Sequence, residues 1–108
     1  MNDENRILSY LSLATKAGKV VSGGFMTEKA IQEGSACIVL IASDASDNTK
    51  KKFINKCSYY EIPYGILSDS NTLGKQIGKQ SRTTVCVTDM GFAKQIANRL
   101  DSSKDMEV

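Results

Sequence analysis

A continuous apolar run at residues 36–42, ACIVLIA, indicates a strand that is covered on both faces. Strands of this kind lie inside a sheet that has helices packed on each side. Residues 83–88, TTVCVT, form a second such run. Residues 62–67 form a third, with Pro63 near its start, where a missing N–H group is tolerated. A short strand over residues 19–21 completes the predicted set.

Helical spacing of apolar residues separates and flanks these strands. The predicted helices cover 7–17, 23–34, 47–60, 73–77 and 92–100, and Ser68 or Ser70 caps the fourth. The order α-β-α-β-α-β-α-β-α with short links predicts an α/β fold with a central sheet and helices on both of its faces. We expect one domain over residues 1–100 and a disordered acidic tail over 101–108.

Charge is distributed unevenly along the chain. Thirteen basic and seven acidic residues lie between Arg6 and Leu100, whereas both ends are acidic. A basic body suits a polyanionic partner.

No apolar stretch reaches the ~18 residues that cross a bilayer, and the polar, acidic N-terminus lacks the pattern of a signal peptide. We therefore predict a cytoplasmic protein without a membrane partner.

The chain contains no histidine and three cysteines, none of them in a C-x-x-C pair. This composition argues against a zinc site and excludes Ser-His-Asp and Cys-His catalysis. Cys37 and Cys86 lie in apolar runs, where a cysteine is usually a small core residue. We predict no metal, no cofactor and no catalytic residue.

Two motifs have both a chemical and a structural interpretation. The first, GKQIGKQS at 74–81, resembles a phosphate-binding loop, but Gln80 replaces the Ser or Thr that binds magnesium and the glycines are too closely spaced. It is either a helix stop at Gly78 with a polar loop after it, or a loop that donates to a phosphate backbone.

The second motif contains Asp44 and Asp47. They are either a carboxylate pair or helix caps, and capping is the commoner role.

The stretch SGGFMTEK, residues 22–29, opens the second helix with two glycines. The glycine pair leaves free N–H groups at a helix start, where the helix dipole favours an anion. Lys29 lies one to two turns later and can reach back towards that end. Phe25 and Met26 either fold into the core or remain at the surface beside the free N–H groups.

These motifs resemble those of the kink-turn-binding ribosomal-protein superfamily, the L7Ae and L30e group, and in particular its bacterial YlxQ-type branch. The similarity runs from about Leu8 to Leu100. It rests on G-x-x-x-x-x-K-A-[IV]-x-x-G, on an apolar strand that ends in A-x-D, and on L-G-K-x-x-G before the last strand. The resemblance implies a three-layer α-β-α sandwich around a four-stranded mixed sheet, and RNA binding without catalysis.

The resemblance also implies which residues contact RNA. In this family the start of the second helix enters the widened major groove at a sharp RNA bend, and the loop before the last strand packs against a flipped-out base. The matching positions are Lys19, Gly23, Gly24, Phe25, Met26 and Lys29 around the helix start, and Lys79, Gln80, Ser81 and Arg82 in the loop.

Two positions depart from the family pattern. Phe25 and Met26 stand where other members carry an Asn-Glu pair that reads guanines of sheared G·A pairs, and neither side chain can hydrogen-bond a guanine edge. Glu33 stands where arginine is frequent, and a carboxylate there repels phosphate. The departures put the recognition of G·A pairs in question and leave the phosphate-binding helix start in place.

Our leading hypothesis is a non-enzymatic, monomeric protein that binds ribosomal or other structured RNA, with Phe25 and Met26 stacked on a base. A second hypothesis is a protein-binding module that uses the same apolar pair as its anchor. A third is the RNA-substrate domain of an RNA-modifying enzyme, because similar domains precede methyltransferase domains.

Overall fold

A computed structural model describes the backbone of residues 3–107 and the side chains of residues 3–100. Nine elements occur in the predicted order: α1 (Asp3–Lys16), β1 (Val20–Ser22), α2 (Gly24–Glu33), β2 (Ile38–Ile41), α3 (Asp47–Tyr59), β3 (Tyr64–Ile66), α4 (Ser70–Gln76), β4 (Thr84–Val87) and α5 (Met90–Glu107). Helix α5 thus enters the segment 101–108. The side chains of that segment lie outside the described residues, and a separate disordered tail stays a prediction.

The four strands form one mixed sheet in the order β1-β4-β2-β3. Strand β4 is antiparallel to both of its neighbours, and β2 and β3 are parallel. Ser22 at the end of β1 therefore lies opposite Val85, and Ile41 at the end of β2 lies opposite Thr84. We call this side of the sheet, where β4 begins and the other three strands end, the upper edge.

Helices cover both faces of the sheet. Helices α1, α4 and α5 pack against one face, over residues such as Ile38 and Leu40, whereas α2 and α3 pack against the other, over Val39 and Ile41. Successive residues of β2 point to opposite faces, and every one of them is buried. This arrangement confirms the three-layer sandwich and explains why the run at 36–42 is apolar throughout.

Three helices, α2, α3 and α4, begin at the upper edge, because each follows a strand that ends there. The Ser46 hydroxyl caps α3 by accepting from the Thr49 amide at 3.1 Å, and the Asp69 carboxylate caps α4 by accepting from the Thr72 amide at 2.8 Å. The prediction that Ser68 or Ser70 caps α4 is therefore wrong. Asp69 lies between those serines in an extended conformation that suits an N-cap.

No helix among the described residues has the length and apolar composition that a membrane span requires.

Candidate nucleic-acid interface

Gly23 is the N-cap residue of α2, and no side chain in the described part of the chain caps this helix. Gly23 has a φ of 89°, in the region that favours glycine. Its N–H donates to the Thr84 carbonyl at 3.0 Å, which ties the helix start to β4. The N–H groups of Gly24, Phe25 and Met26 occupy the first turn, where a helix provides no acceptor. The start of α2 therefore offers three free donors at the exposed upper edge.

The side chains of Phe25 and Met26 lie at the surface. The buried face of α2 consists of Thr27, Ala30 and Ile31, which recur at helical spacing. Phe25 is 79% exposed and Met26 is 41% exposed. The hypothesis that this pair folds into the core is wrong, because Thr27 takes the inward position of the first turn. A large apolar surface remains beside the three free donors.

Lys29 follows on the outer surface of α2. Its Nζ lies 4.0 Å from the Glu33 carboxylate one turn later, and both side chains are more than half exposed. Ion pairs of this kind contribute little, because water and salt screen them. Glu28, by contrast, faces α3, where the Nζ atoms of Lys52 and Lys56 lie 3.1 and 3.8 Å from its carboxylate. Lys29 is thus an exposed cation near the helix start, held by one weak pair.

The loop between α4 and β4 is seated on α4. The Lys79 amide donates to the Gly74 carbonyl at 2.8 Å. A Cβ on Gly74 would collide with the carbonyl oxygen of Gln80, so the loop backbone approaches the helix as closely as a glycine allows. The side chains of Lys79, Gln80 and Ser81 are exposed. The loop therefore has a defined backbone position and presents polar groups to solvent.

Arg82 connects this loop to the start of α2. Its Nε donates to Ser22 Oγ at 3.2 Å, and its Nη1 donates to the Ser81 carbonyl at 2.9 Å. Ser22 directly precedes Gly23, so the guanidinium lies beside the uncapped helix start. The structure thus brings together the two segments that the resemblance implies for RNA contact, although they are far apart in the chain. The contact of each individual residue with RNA stays a prediction.

Lys19 is separated from this surface. It precedes β1 at the end of the strand opposite Ser22, and its carbonyl accepts from the Thr88 amide at 2.9 Å. The length of β1 therefore lies between Lys19 and the helix start. Its role in RNA binding also stays a prediction.

Asp44 is a cap of α4 rather than of the helix that follows it. Its two carboxylate oxygens accept from the amide and the hydroxyl of Ser70, both at 2.9 Å. Asp47 lies in the first turn of α3, whose cap is Ser46. Capping is therefore the role of Asp44, but the helix that it caps begins 26 residues later. Among the described residues, no group of three or more acidic, His or Cys side chains could hold a metal ion.

Residues 5–97 match a known family, described as the ribosomal protein L7Ae/L30e/S12e/Gadd45 family. The chain belongs to this family. Its similarity to the bacterial members is high: it is 46% identical to the RNA-binding protein YlxQ of Bacillus subtilis over 91 residues, which covers 84% of this chain and 91% of that protein. It is 41% identical to the RNA-binding protein YlxQ of Enterococcus faecium over 97 residues, with 88% and 93% covered. The predicted L7Ae and L30e group and its YlxQ-type branch are confirmed.

Two solved structures share this fold. A protein of unknown function from Bacillus halodurans is 38% identical, with a TM-score of 0.85 over 88% of this chain and 96% of the other. The 15.5 kD RNA-binding protein of Giardia lamblia is 17% identical, with a TM-score of 0.81 over 94% and 91% of the two chains. At 17% identity the likeness to the Giardia protein concerns the fold alone, and it confirms the predicted α/β sandwich.

Proposed function

We propose that this chain is a non-enzymatic, cytoplasmic protein that binds structured RNA through the start of α2 and the loop between α4 and β4. The observation that carries the proposal is the placement of the Arg82 guanidinium, through Ser22, beside the uncapped start of α2. Free backbone donors, a helix dipole and a guanidinium together form a site for a phosphate group. The naming of the YlxQ relatives as RNA-binding proteins supports RNA as the source of that phosphate.

The apolar pair beside this site suits an unpaired base. Phe25 presents its ring almost entirely to solvent, and aromatic faces stack on bases of any identity. Neither Phe25 nor Met26 can donate to or accept from a guanine edge in the manner of an amide and a carboxylate. We therefore propose that affinity comes from phosphate contacts and stacking, and that sheared G·A pairs contribute little to recognition.

A protein-binding module is the alternative that the exposure of Phe25 also fits. An apolar anchor of this kind also suits the centre of a protein interface, but N–H groups buried there without an acceptor would cost binding free energy. Here it adjoins three free N–H groups and Arg82, which favour a polyanion. RNA is therefore the better-supported partner.

The first test is the salt dependence of RNA binding. The probe is a short bulged RNA helix with tandem G·A pairs, titrated at several salt concentrations. Because the contacts are to phosphates, the logarithm of the affinity should fall linearly with the logarithm of salt concentration. Lys29→Ala should weaken binding and reduce the slope by about one unit. A salt-independent affinity would contradict the proposal.

Two further variants make the Lys29 result specific. Lys94→Ala removes an exposed lysine from α5, on the other face of the sheet, and should leave the slope unchanged. Glu33→Gln removes the carboxylate that pairs with Lys29, and should strengthen binding a few-fold. If Lys29→Ala and Lys94→Ala behave alike, Lys29 is a solvated helix residue without a role in the interface.

A further inference from the structure

We infer that Asp44 is a positioning residue of the proposed RNA interface: it holds α4 and the loop after it where Arg82 reaches the start of α2. This inference rests on the proposed function and extends it to a residue outside the contact surface. Asp44 lies in the turn between β2 and α3, and both of its carboxylate oxygens accept hydrogen bonds from Ser70. The positioning effect of Asp44 on RNA therefore passes through Ser70, and its charge acts separately.

A continuous series of hydrogen bonds connects Asp44 with α2. The carboxylate accepts from the amide and the hydroxyl of Ser70, each at 2.9 Å. The Ser70 carbonyl accepts from the Arg82 amide at 3.0 Å. The Arg82 side chain donates to Ser22 at 3.2 Å, at the residue before the helix start. Ser70 is only 8% exposed, so the middle of this series is protected from competing water.

Asp44 and Asp69 have different structural roles at the start of α4. Asp69 directly precedes the helix and accepts from Thr72 inside it, so it stabilises the first turn without attaching it to anything else. Asp44 belongs to the turn after β2, so its bonds to Ser70 attach α4 to the sheet. A helix of seven residues is unstable alone in water. Its position, and that of the loop seated on it, therefore depends on such attachments.

Electrostatics alone predicts the opposite effect of Asp44 on RNA. A carboxylate at the upper edge repels a polyanion, so its removal should strengthen binding. Asp47 lies three residues later, exposed in the first turn of α3 at the same edge. Asp47→Ala is thus a matched control for the loss of one negative charge. A positioning role for Asp44 makes the two substitutions act in opposite directions.

The experiment compares Asp44→Ala, Asp44→Asn and Asp47→Ala by two measurements: affinity for the bulged RNA helix with tandem G·A pairs, and amide hydrogen exchange without RNA. Asp44→Ala should weaken binding about tenfold, since two charge-assisted hydrogen bonds are lost, and should accelerate exchange of the Ser70 and Arg82 amides. Asp44→Asn should stay close to the native protein, because its amide oxygen still accepts from the Ser70 N–H and its NH2 group can donate to the Ser70 hydroxyl oxygen. Asp47→Ala should bind at least as tightly as the native protein.

The two measurements separate the possible failures. Weaker RNA binding by Asp44→Ala with unchanged exchange at Arg82 would overturn the positioning role and leave the proposed function standing. Faster exchange at Arg82 with unchanged RNA affinity would show that the loop does not contact RNA, which overturns the proposed interface and with it the role of Asp44 there. An equal rise in affinity in Asp44→Ala and Asp47→Ala would show that Asp44 acts on RNA only through its negative charge. That result would overturn the positioning role.

A milder variant covers the case in which Asp44→Ala does not fold. Ser70→Ala removes the hydroxyl that donates to Asp44 and retains the amide that also donates to it. It should weaken RNA binding in the same direction by a smaller factor, with faster exchange at Arg82. Native affinity and native exchange in Ser70→Ala would overturn the inference.

Discussion

Phe25 and Met26 give the start of α2 a chemistry that differs from that of an amide and a carboxylate. The free N–H groups of the first turn remain available to a phosphate, whereas side-chain hydrogen bonds to base edges are absent at these two positions. Phe25 and Met26 are 79% and 41% exposed, so both apolar side chains lie at the surface. We therefore expect that both side chains can be replaced with little effect on stability.

The double substitution Phe25→Asn with Met26→Glu tests the chemistry and the placement of this pair. It should raise the preference for a kink-turn RNA with intact G·A pairs over one without them by about tenfold or more, since each good base-edge pairing contributes about 1–3 kcal/mol of discrimination. RNA titrations measure the preference and thermal melting measures stability.

The Tm of this double variant should remain close to that of the native protein, because both side chains are exposed. A large fall in Tm would contradict their placement at the surface. A stable variant without any gain in preference would mean that the start of α2 does not face RNA as it does in kink-turn binders.

Sequence patterns indicated the local chemistry of the candidate site but not which residues pair across it, and they left the exposure of Phe25 and Met26 open. The lack of a polar cap at Gly23 is visible in the residues themselves, since glycine has no side chain to accept a bond. The bond between Arg82 and Ser22 joins residues 60 positions apart, and no local pattern indicates it. The same holds for Asp44, whose neighbourhood suggests a cap for α3 and whose partner is Ser70. Pairings of this kind follow from the sheet order, which local periodicity does not determine.

At the scale of the element, α4 combines short length with strong caps. It has seven residues, and amide groups of its first turn donate hydrogen bonds to two carboxylates, those of Asp69 and Asp44. The hydrogen bond from the Thr72 amide holds the pKa of Asp69 below its usual range, with a smaller effect from the Thr72 side chain. The folded state therefore favours the ionised carboxylate more than the unfolded state does.

This shift predicts a pH-dependent cap. Because the folded pKa of Asp69 is lowered, its contribution to stability is present above the ordinary pKa of about 4 and is lost as the pH falls through the lower folded value. Asp69→Ala should thus lower the urea midpoint most at pH 6, and the difference from the native protein should shrink towards pH 2.

Ser46→Ala is the control for this titration. It removes the cap of α3, which accepts through a hydroxyl that does not ionise, so its effect should be nearly constant over the same pH range. A pH-independent effect of Asp69→Ala as well would show that the bond to Thr72 does not depend on the ionised carboxylate.

At the scale of the whole molecule, the α2/α3 side of the sandwich encloses two thiols. Cys57 on α3 and Cys86 on β4 lie in the same apolar cluster and are fully buried. Burial raises the pKa of Cys57 to about 11 and that of Cys86 to about 12. Cys37, before β2, is partly exposed, and burial also raises its pKa.

Alkylation of the native protein should reflect this enclosure. With iodoacetamide at pH 8, Cys57 and Cys86 should remain unmodified, because the reactive thiolate is scarce and the sulfur is inaccessible. All three thiols should react in denaturant, as mass spectrometry of the intact chain and its peptides would show. Modification of Cys57 or Cys86 at the rate of Cys37 under native conditions would contradict the packing of this layer.

The sheet order has a consequence for how the chain is made. The strand that lies between β1 and β2 is β4, which comes last of the four in the sequence. Until the ribosome has released residues through Val87, β1 lacks its partner strand, and both apolar clusters lack the residues that β4 supplies. A nascent chain that ends before β4 can form local helices but cannot complete either layer, because its long-range pairings are missing. Folding of this sheet must therefore wait until β4 has been synthesised, and the start of α2, which precedes β4 in the chain, acquires its neighbour Arg82 only then.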